Sequence, residues 1–235
     1  YDMKGKCLSA TISFNINNLL LMKNKRDMKW MSIITIIFAF SSCSNAQIDE
    51  NKKMINESKN MDTITLGAGC FWCIEAVFSE LKGVESVVAG YAGGFVKNPS
   101  YKEVCSGTTG HAEVAQIIYN PSLISLGDIL EVFWKTHDPT TLNREGADVG
   151  TQYRSSIFYH NEKQGNEAKS YKVQLIDSEA WENPIVTEIL PISNYSAAEN
   201  YHQNYYSQNP GNSYCTFVIQ PKLDKFRKVF ASKLK

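Results

Sequence analysis

Thr63-Ile64-Thr65-Leu66-Gly67-Ala68-Gly69-Cys70-Phe71-Trp72-Cys73-Ile74-Glu75-Ala76-Val77-Phe78 is the stretch on which the fold turns. Its first four residues read as a strand end, closed by Gly67 and Gly69. Beyond Cys70, the apolar residues Ile74, Val77, Phe78 and Leu81 recur at spacings of three and four, which predicts a helix over 71–81. Cys70 then falls at the first turn of that helix. The positive end of the backbone dipole and the unpaired N–H groups there both favour a thiolate, the nucleophilic form. Phe71 and Trp72 wall the sulfur with apolar surface, which suits a small uncharged substrate group better than a phosphate or carboxylate. The stretch reads as a redox or nucleophilic cysteine.

Working outward, strands are expected at 63–66, 86–91, 112–119, 155–159 and 187–192, and helices at 71–81, 126–137, 162–177 and 197–207. Asn120-Pro121 and Asn183-Pro184 supply breaks, and Asn209-Pro210-Gly211 ends the last helical pattern. Such an alternation in one unit fits a single two-layer α+β sandwich. The stretch 90–110, dense in Gly, Tyr and Ser, is a candidate functional loop.

In the 235-residue chain, 24 Lys and Arg balance 24 Asp and Glu. That balance points away from nucleic acid and from a general polybasic membrane patch. The first sixty or so residues differ in character. Lys23, Lys25, Arg26 and Lys29 precede an apolar run at 33–40, broken only by Thr35 and followed by Ser41-Ser42-Cys43. A basic region, a short hydrophobic region and small residues make a secretory signal rather than a spanning helix. The sequence before Met22 reads as upstream translated sequence, with Met22 or Met28 as the start. Residues 45–62, rich in Asn, Lys, Glu, Ser and Gln, have little to bury and read as a flexible tether. The expected organisation is a leader at 1–43, a tether at 44–61 and a folded domain at 62–235.

Gly69-Cys70-Phe71-Trp72 resembles the signature of the type A peptide methionine sulfoxide reductases, and further matches follow in order. They include Gly90-Tyr91-Ala92-Gly93-Gly94, Asn98-Pro99-Ser100-Tyr101, Gly110-His111-Ala112-Glu113, Phe133-Trp134, His137-Asp138-Pro139 and Asp148-Val149-Gly150-Thr151-Gln152-Tyr153. The resemblance covers residues 62–235 and implies a ferredoxin-like core wrapped by long loops. It implies a thiol-dependent enzyme that reduces methionine S-sulfoxide, free or in oxidised peptides and proteins. No bound cofactor or metal is implied, and a thioredoxin-like or other dithiol serves as electron donor. The small residues before Cys43 likewise resemble a bacterial lipoprotein cleavage box, with Phe40 where Leu is usual. Cys43 then becomes the lipidated first residue of an exported, membrane-anchored protein, or the chain stays cytoplasmic if the leader is not used. Nothing in the sequence demands more than a monomer.

By the resemblance, the Cys70 thiolate attacks the sulfoxide sulfur and ends as a sulfenic acid, which a nearby thiol condenses to a disulfide. Glu113 matches the acid that protonates the departing oxygen. To be protonated near neutrality its pKa has to rise from about 4.3 to about 7, roughly 3.7 kcal/mol of differential stabilisation. Tyr101 and Tyr153 match the phenols that hydrogen-bond the sulfoxide oxygen, since a phenol donates without charge. Phe71 and Trp72 match the walls that receive the methyl on sulfur, and Asp148 matches a residue of the same pocket.

The resolving thiol is open between two residues. Cys215 follows Asn209-Pro210-Gly211-Asn212-Ser213-Tyr214, similar to the family's C-terminal segment, and a mobile glycine-containing tail would bring it to Cys70. It is the favoured resolver. Cys73, three residues beyond Cys70 on a helix start, is the alternative, as in thioredoxin-like motifs; many family members carry Gly there. Cys105 reads as a structural thiol. Two other classes compete: a general disulfide oxidoreductase built on Cys70 and Cys73, and a zinc-binding lipoprotein using Cys70, Cys73, Cys105 and His111. His137, His160 and His202 lack ligand spacing and read as hydrogen-bonded structural residues.

Overall fold

Six strands form one sheet in the computed structural model, which describes residues 61–235. The leader, Cys43 and the tether up to residue 60 lie outside the described residues. In chain order the first elements are β1 (Asp62–Gly67), α1 (Phe71–Ser79), β2 (Val84–Ala92), α2 (Tyr101–Cys105), β3 (Ala112–Tyr119) and α3 (Leu126–Thr136). A two-stranded hairpin follows, β4 (Arg144–Glu145) with β5 (Asp148–Val149), then a 3-10 turn at Thr151–Tyr153. Next come β6 (Ser156–Tyr159), α4 (Glu162–Asp177), β7 (Glu188–Pro191) and β8 (Ser196–Ala197). A second 3-10 turn (Asn200–His202), α5 (Tyr205–Gln208), a π-turn (Cys215–Ile219) and α6 (Gln220–Val229) lead to the C-terminus.

The sheet order is β7-β6-β1-β3-β2-β8, antiparallel throughout except that β7 lies parallel to β6. The fold is thus a mixed α/β domain around a mostly antiparallel sheet. Side chains alternate across each strand. One face buries Ile64, Leu66, Ala115, Ile117 and Tyr119 with Phe71, Ile74, Val77 and Phe78 of α1. The other buries a smaller set, Ala92, Ala112, Val114 and Phe158, beneath Ile192 and Tyr195. Glu113, two residues before Ala115, therefore shares the large-core face. That places a carboxyl where the pattern calls for an apolar residue.

Seven of the nine residues of α1 are buried, so it is a core helix rather than an amphipathic surface one. It stops at Ser79, before the 81 expected, because the chain turns through Gly83 at φ +90° and Leu81 bridges to Leu234. The 90–110 loop carries α2, closed by a reciprocal capping box. The Ser100 hydroxyl accepts from Glu103 N–H at 3.4 Å, and the Glu103 carboxylate accepts from Ser100 N–H at 2.8 Å.

Two expectations need correction. The helix expected at 197–207 is β8, a 3-10 turn and the four-residue α5, interrupted at Asn204 with φ +51°. Gln203 breaks the pattern by bonding both backbone groups of Ala89 at 3.0 and 2.9 Å, which ties the segment to the sheet. The C-terminal stretch, expected as a tail, carries packed helix beyond Asn212. It is helical from Cys215, and Ile219, Leu223, Phe226 and Phe230 form a buried stripe. Among the described residues no helix is long and apolar enough to cross a membrane.

Candidate active site

The turn between β1 and α1 sets the site. Gly69 has φ +85°, and a Cβ there would lie 2.6 Å from the Glu145 side chain, so only glycine lets the turn close against the β4–β5 hairpin. Cys70 follows as the N-cap residue of α1, with extended backbone, and is 7% exposed. Directly across, the buried Glu113 of β3 accepts the N–H of Phe71 at 3.2 Å. Nucleophile and acid candidate thus share one helix N-terminus.

Burial raises the Glu113 carboxyl to about 8, and the charges of Asp148 and Cys73 push the same way; the single Phe71 N–H opposes them and loses. At neutral pH this carboxyl is protonated, as the acid role requires.

Cys70 departs from the expectation of a dipole-stabilised thiolate. Burial, above all, raises its pKa well above the ordinary value, aided by the Cys73 side chain and the Glu113 charge. A Trp72 backbone N–H lowers it, but by less. Cys73 moves the other way, lowered by hydrogen bonding from Cys70, by the Lys222 ammonium and by Tyr214. The two thiols titrate as one unit, in which Cys73 gives up its proton more readily than Cys70. The first helical turn brings them together, with Cys73 N–H donating to Cys70 C=O at 3.1 Å.

Aromatic rings pack around the start of α1. Phe71 lies 6.4 Å from Tyr101 in a near-parallel stack and 5.9 Å from Tyr91. Trp72 lies flat on Tyr205 at 3.7 Å and 7°, meets Tyr214 edge-on at 5.9 Å, and donates its indole N–H to His202 Nδ1 at 3.2 Å. Burial lowers the His202 pKa, leaving a neutral ring that accepts at Nδ1. The Tyr101 and Tyr153 phenols are half-buried, and burial raises both; the Glu113 charge raises them further. Both therefore stay protonated donors. Asp148 accepts from Tyr214 O–H at 2.6 Å, and that oxygen is 3.9 Å from Cys73 Sγ.

The fold thus gathers Cys70, Cys73, Phe71, Trp72, Tyr101, Glu113, Asp148 and Tyr153 about one helix end. Cys215 lies behind, buried in its π-turn, where burial and then the Cys73 charge raise its thiol. Cys105 is exposed at the end of α2, so it packs in no core. Among the described residues, no three His, Cys, Asp or Glu side chains are grouped to hold a metal ion, and His111 Nε2 instead lies 2.7 Å from Val96 C=O.

Sequence reasoning passed over Glu199, Tyr205 and Tyr214. Glu199 accepts from Tyr91 O–H and from Tyr101 N–H, both at 2.9 Å, and so fixes the start of α2 beside the pocket. The spacing of Glu199, His202 and Tyr205 was visible, but read as one regular helix it gave no hint that each residue has a separate anchor.

The family description "Peptide methionine sulfoxide reductase" matches residues 62–234. "Peptide methionine sulfoxide reductase MsrA" of Trichodesmium erythraeum is 52% identical over 170 residues, 72% of this chain and 96% of that protein. The protein of the same name from Leptospira borgpetersenii is 53% identical over 168 residues, 72% of this chain and 94% of its own. Among solved structures, reduced Mxr1 from Saccharomyces cerevisiae superposes with TM-score 0.61 at 39% identity, covering 67% of this chain and 90% of that one. Methionine sulfoxide reductase A of Corynebacterium diphtheriae gives 0.59 at 34%, covering 65% and 77%.

Proposed function

The chain belongs to the peptide methionine sulfoxide reductase family and reduces methionine sulfoxide, and from that premise we propose how its residues divide the work. The observation that carries the proposal is the protonated, buried Glu113 across the helix end from Cys70. Glu113 and the phenols of Tyr101 and Tyr153 donate to the sulfoxide oxygen, drawing electron density from sulfur. The methyl group sits against Phe71 and Trp72, which selects the S epimer, while Asp148 holds the pocket through Tyr214.

Cys70 sulfur then attacks the substrate sulfur and its proton passes to the Cys73 thiolate. Glu113 gives its proton to the oxygen. The oxygen, now a hydroxyl, moves to Cys70, so that methionine leaves and Cys70 is a sulfenic acid. Cys73 attacks that sulfur, its proton leaves with the hydroxyl as water, and a Cys70–Cys73 disulfide forms. Cys73, the alternative in the sequence, is on this reading the first resolver ahead of the favoured Cys215, supported by its place one helical turn beyond Cys70 and its side-chain hydrogen bond with Cys70. Cys215 acts second, taking the disulfide from Cys70 by exchange with Cys73. A thioredoxin-like dithiol returns the thiols to the reduced state, becoming a disulfide itself.

The strand order β6-β1-β3-β2 with α1 and α3 as crossovers supports a ferredoxin-like reading of the core. The leader supports export with lipidation at Cys43, and the chain acts as a monomer.

The test is a reductant-free reaction with excess sulfoxide, quenched with a thiol-blocking reagent and mapped by mass spectrometry. A Cys70–Cys73 disulfide appearing before Cys73–Cys215, and a Cys70 sulfenic acid trapped in Cys73→Ser, are expected. A first disulfide between Cys70 and Cys215 would overturn the order.

A further inference from the structure

Glu75 lies five residues beyond the nucleophile on α1 and is only 3% exposed. A carboxylate so buried is costly to keep without partners. Its partners come from far along the chain. Oε1 accepts Asn204 N–H at 2.8 Å and Oε2 accepts Tyr205 N–H at 3.3 Å. These bonds hold the segment at the point where Asn204 takes its left-handed turn. From there the Tyr205 ring lies flat on Trp72 at 3.7 Å. Farther on, Asn209 and Asn212 bond the Tyr205 carbonyl at 2.9 Å and hydroxyl at 3.2 Å, leading to Tyr214 beside Cys73.

We infer that Glu75 is a positioning residue for substrate recognition: its carboxylate clamps the backbone of Asn204 and Tyr205 so that Tyr205 fixes the plane of Trp72. The catalytic helix thereby holds its own aromatic wall from behind. Glu75 is distant from the reacting atoms in role, because Trp72 and Tyr205 transmit its effect. The inference rests on the reading of Trp72 as the wall that receives the substrate methyl. A misplaced wall weakens substrate capture while leaving the Cys70–Cys73–Glu113 chemistry intact, so the loss belongs in KM for the sulfoxide.

Glu75→Gln keeps the shape but replaces one acceptor oxygen with a donor, which faces a backbone N–H. In the full chain, KM for methionine sulfoxide is expected to rise about tenfold, the factor typical of losing one hydrogen bond to a charged group. Its kcat and its KM for the dithiol stay near the parent values. The indole N–H resonance of Trp72, assigned by its loss in Trp72→Phe, shifts or broadens. Tyr205→Leu gives the same signature, and Glu75→Gln adds nothing to it in the double variant. If Glu75→Gln does not fold, Glu75→Asp, which keeps the charge and loses reach, carries the same readouts. An unmoved Trp72 resonance, a loss confined to kcat, or additive losses in the double variant would overturn the inference. Failure of the parent chain to turn over sulfoxide would instead strike the reductase reading, since the resonance test needs no turnover.

Discussion

Replacing Glu113 by Gln should make the protein less active and, in alkaline solution, more stable. The carboxyl is 1% exposed and its pKa rises from 4.5 to about 8 in the fold. A carboxyl raised in this way binds a proton more tightly folded than unfolded. Its contribution to stability is fully present below pH 4.5 and is lost as pH climbs to about 8, at about 1.4 kcal/mol per pH unit, or about 5 kcal/mol in all. That is a large part of a typical domain's stability of about 5–15 kcal/mol. It is an upper limit, because water entering the pocket shelters the carboxylate.

Gln does not titrate, and its carbonyl can still accept the Phe71 N–H. Urea unfolding is to be followed at pH 5, 6, 7, 8 and 9 in Cys70→Ser and in Cys70→Ser with Glu113→Gln, the serine removing the nucleophile's own titration. The stability difference should widen steadily in favour of Gln from pH 5 and level off above about 8, by more than about 2 kcal/mol. Parallel curves would refute the claim that Glu113 is neutral in the fold, and a difference widening toward acid would reverse it.

Other outcomes follow from the same geometry. The rate of sulfoxide reduction should fall as pH rises through about 8, as the Glu113 proton is lost, and Glu113→Gln should lose about 100-fold or more in single-turnover rate at pH 7. Tyr101→Phe and Tyr153→Phe should each slow methionine formation about tenfold, and the double variant by about 100-fold or more, as expected for oxygen donors acting together. Gly69→Ala forces a side chain into φ +85° and against Glu145, so thermal unfolding should register a loss of about 1–3 kcal/mol, with slower sulfenic acid formation. Separately, from the lipidation proposed at Cys43 rather than from the geometry, Cys43→Ala should move the chain from the detergent phase to the aqueous phase in a partition assay; unchanged partition would remove lipidation from the account.

Local patterns carried most of the framework into the sequence. The three-four spacing of α1 is a property of a short stretch, and α1, β3 and α3 each stand within two residues of their expected places. Where partners are distant, the patterns failed. Residues 197–207 have helical spacing, yet Gln203 is drawn to Ala89 across the sheet and Tyr205 to Glu75 on α1. Helix α2 was legible, for Ser100 and Glu103 form the S-x-x-E capping signature inside what reads as a loop. The stripe of Ile219, Leu223, Phe226 and Phe230 was also present, but Asn209-Pro210-Gly211 drew the reading toward a tail.

At the site, residue types and order pointed to one neighbourhood, the residues the fold gathers about the start of α1. What they withheld was the balance of forces on Cys70. The helix end is readable from sequence, while the degree of burial and the nearness of Glu113 and Cys73 arise only on folding. Glu75 shows the same limit, since a Glu in an apolar run gives no sign of the backbone groups 129 and 130 residues away that justify it.

The most direct test of the central claim is turnover of each methionine sulfoxide epimer by the purified chain with a dithiol reductant, followed by mass spectrometry as loss of one oxygen. Conversion of the S epimer alone, abolished by Cys70→Ser and strongly slowed by Glu113→Gln, is the expected result. Undiminished conversion in Cys70→Ser would contradict it.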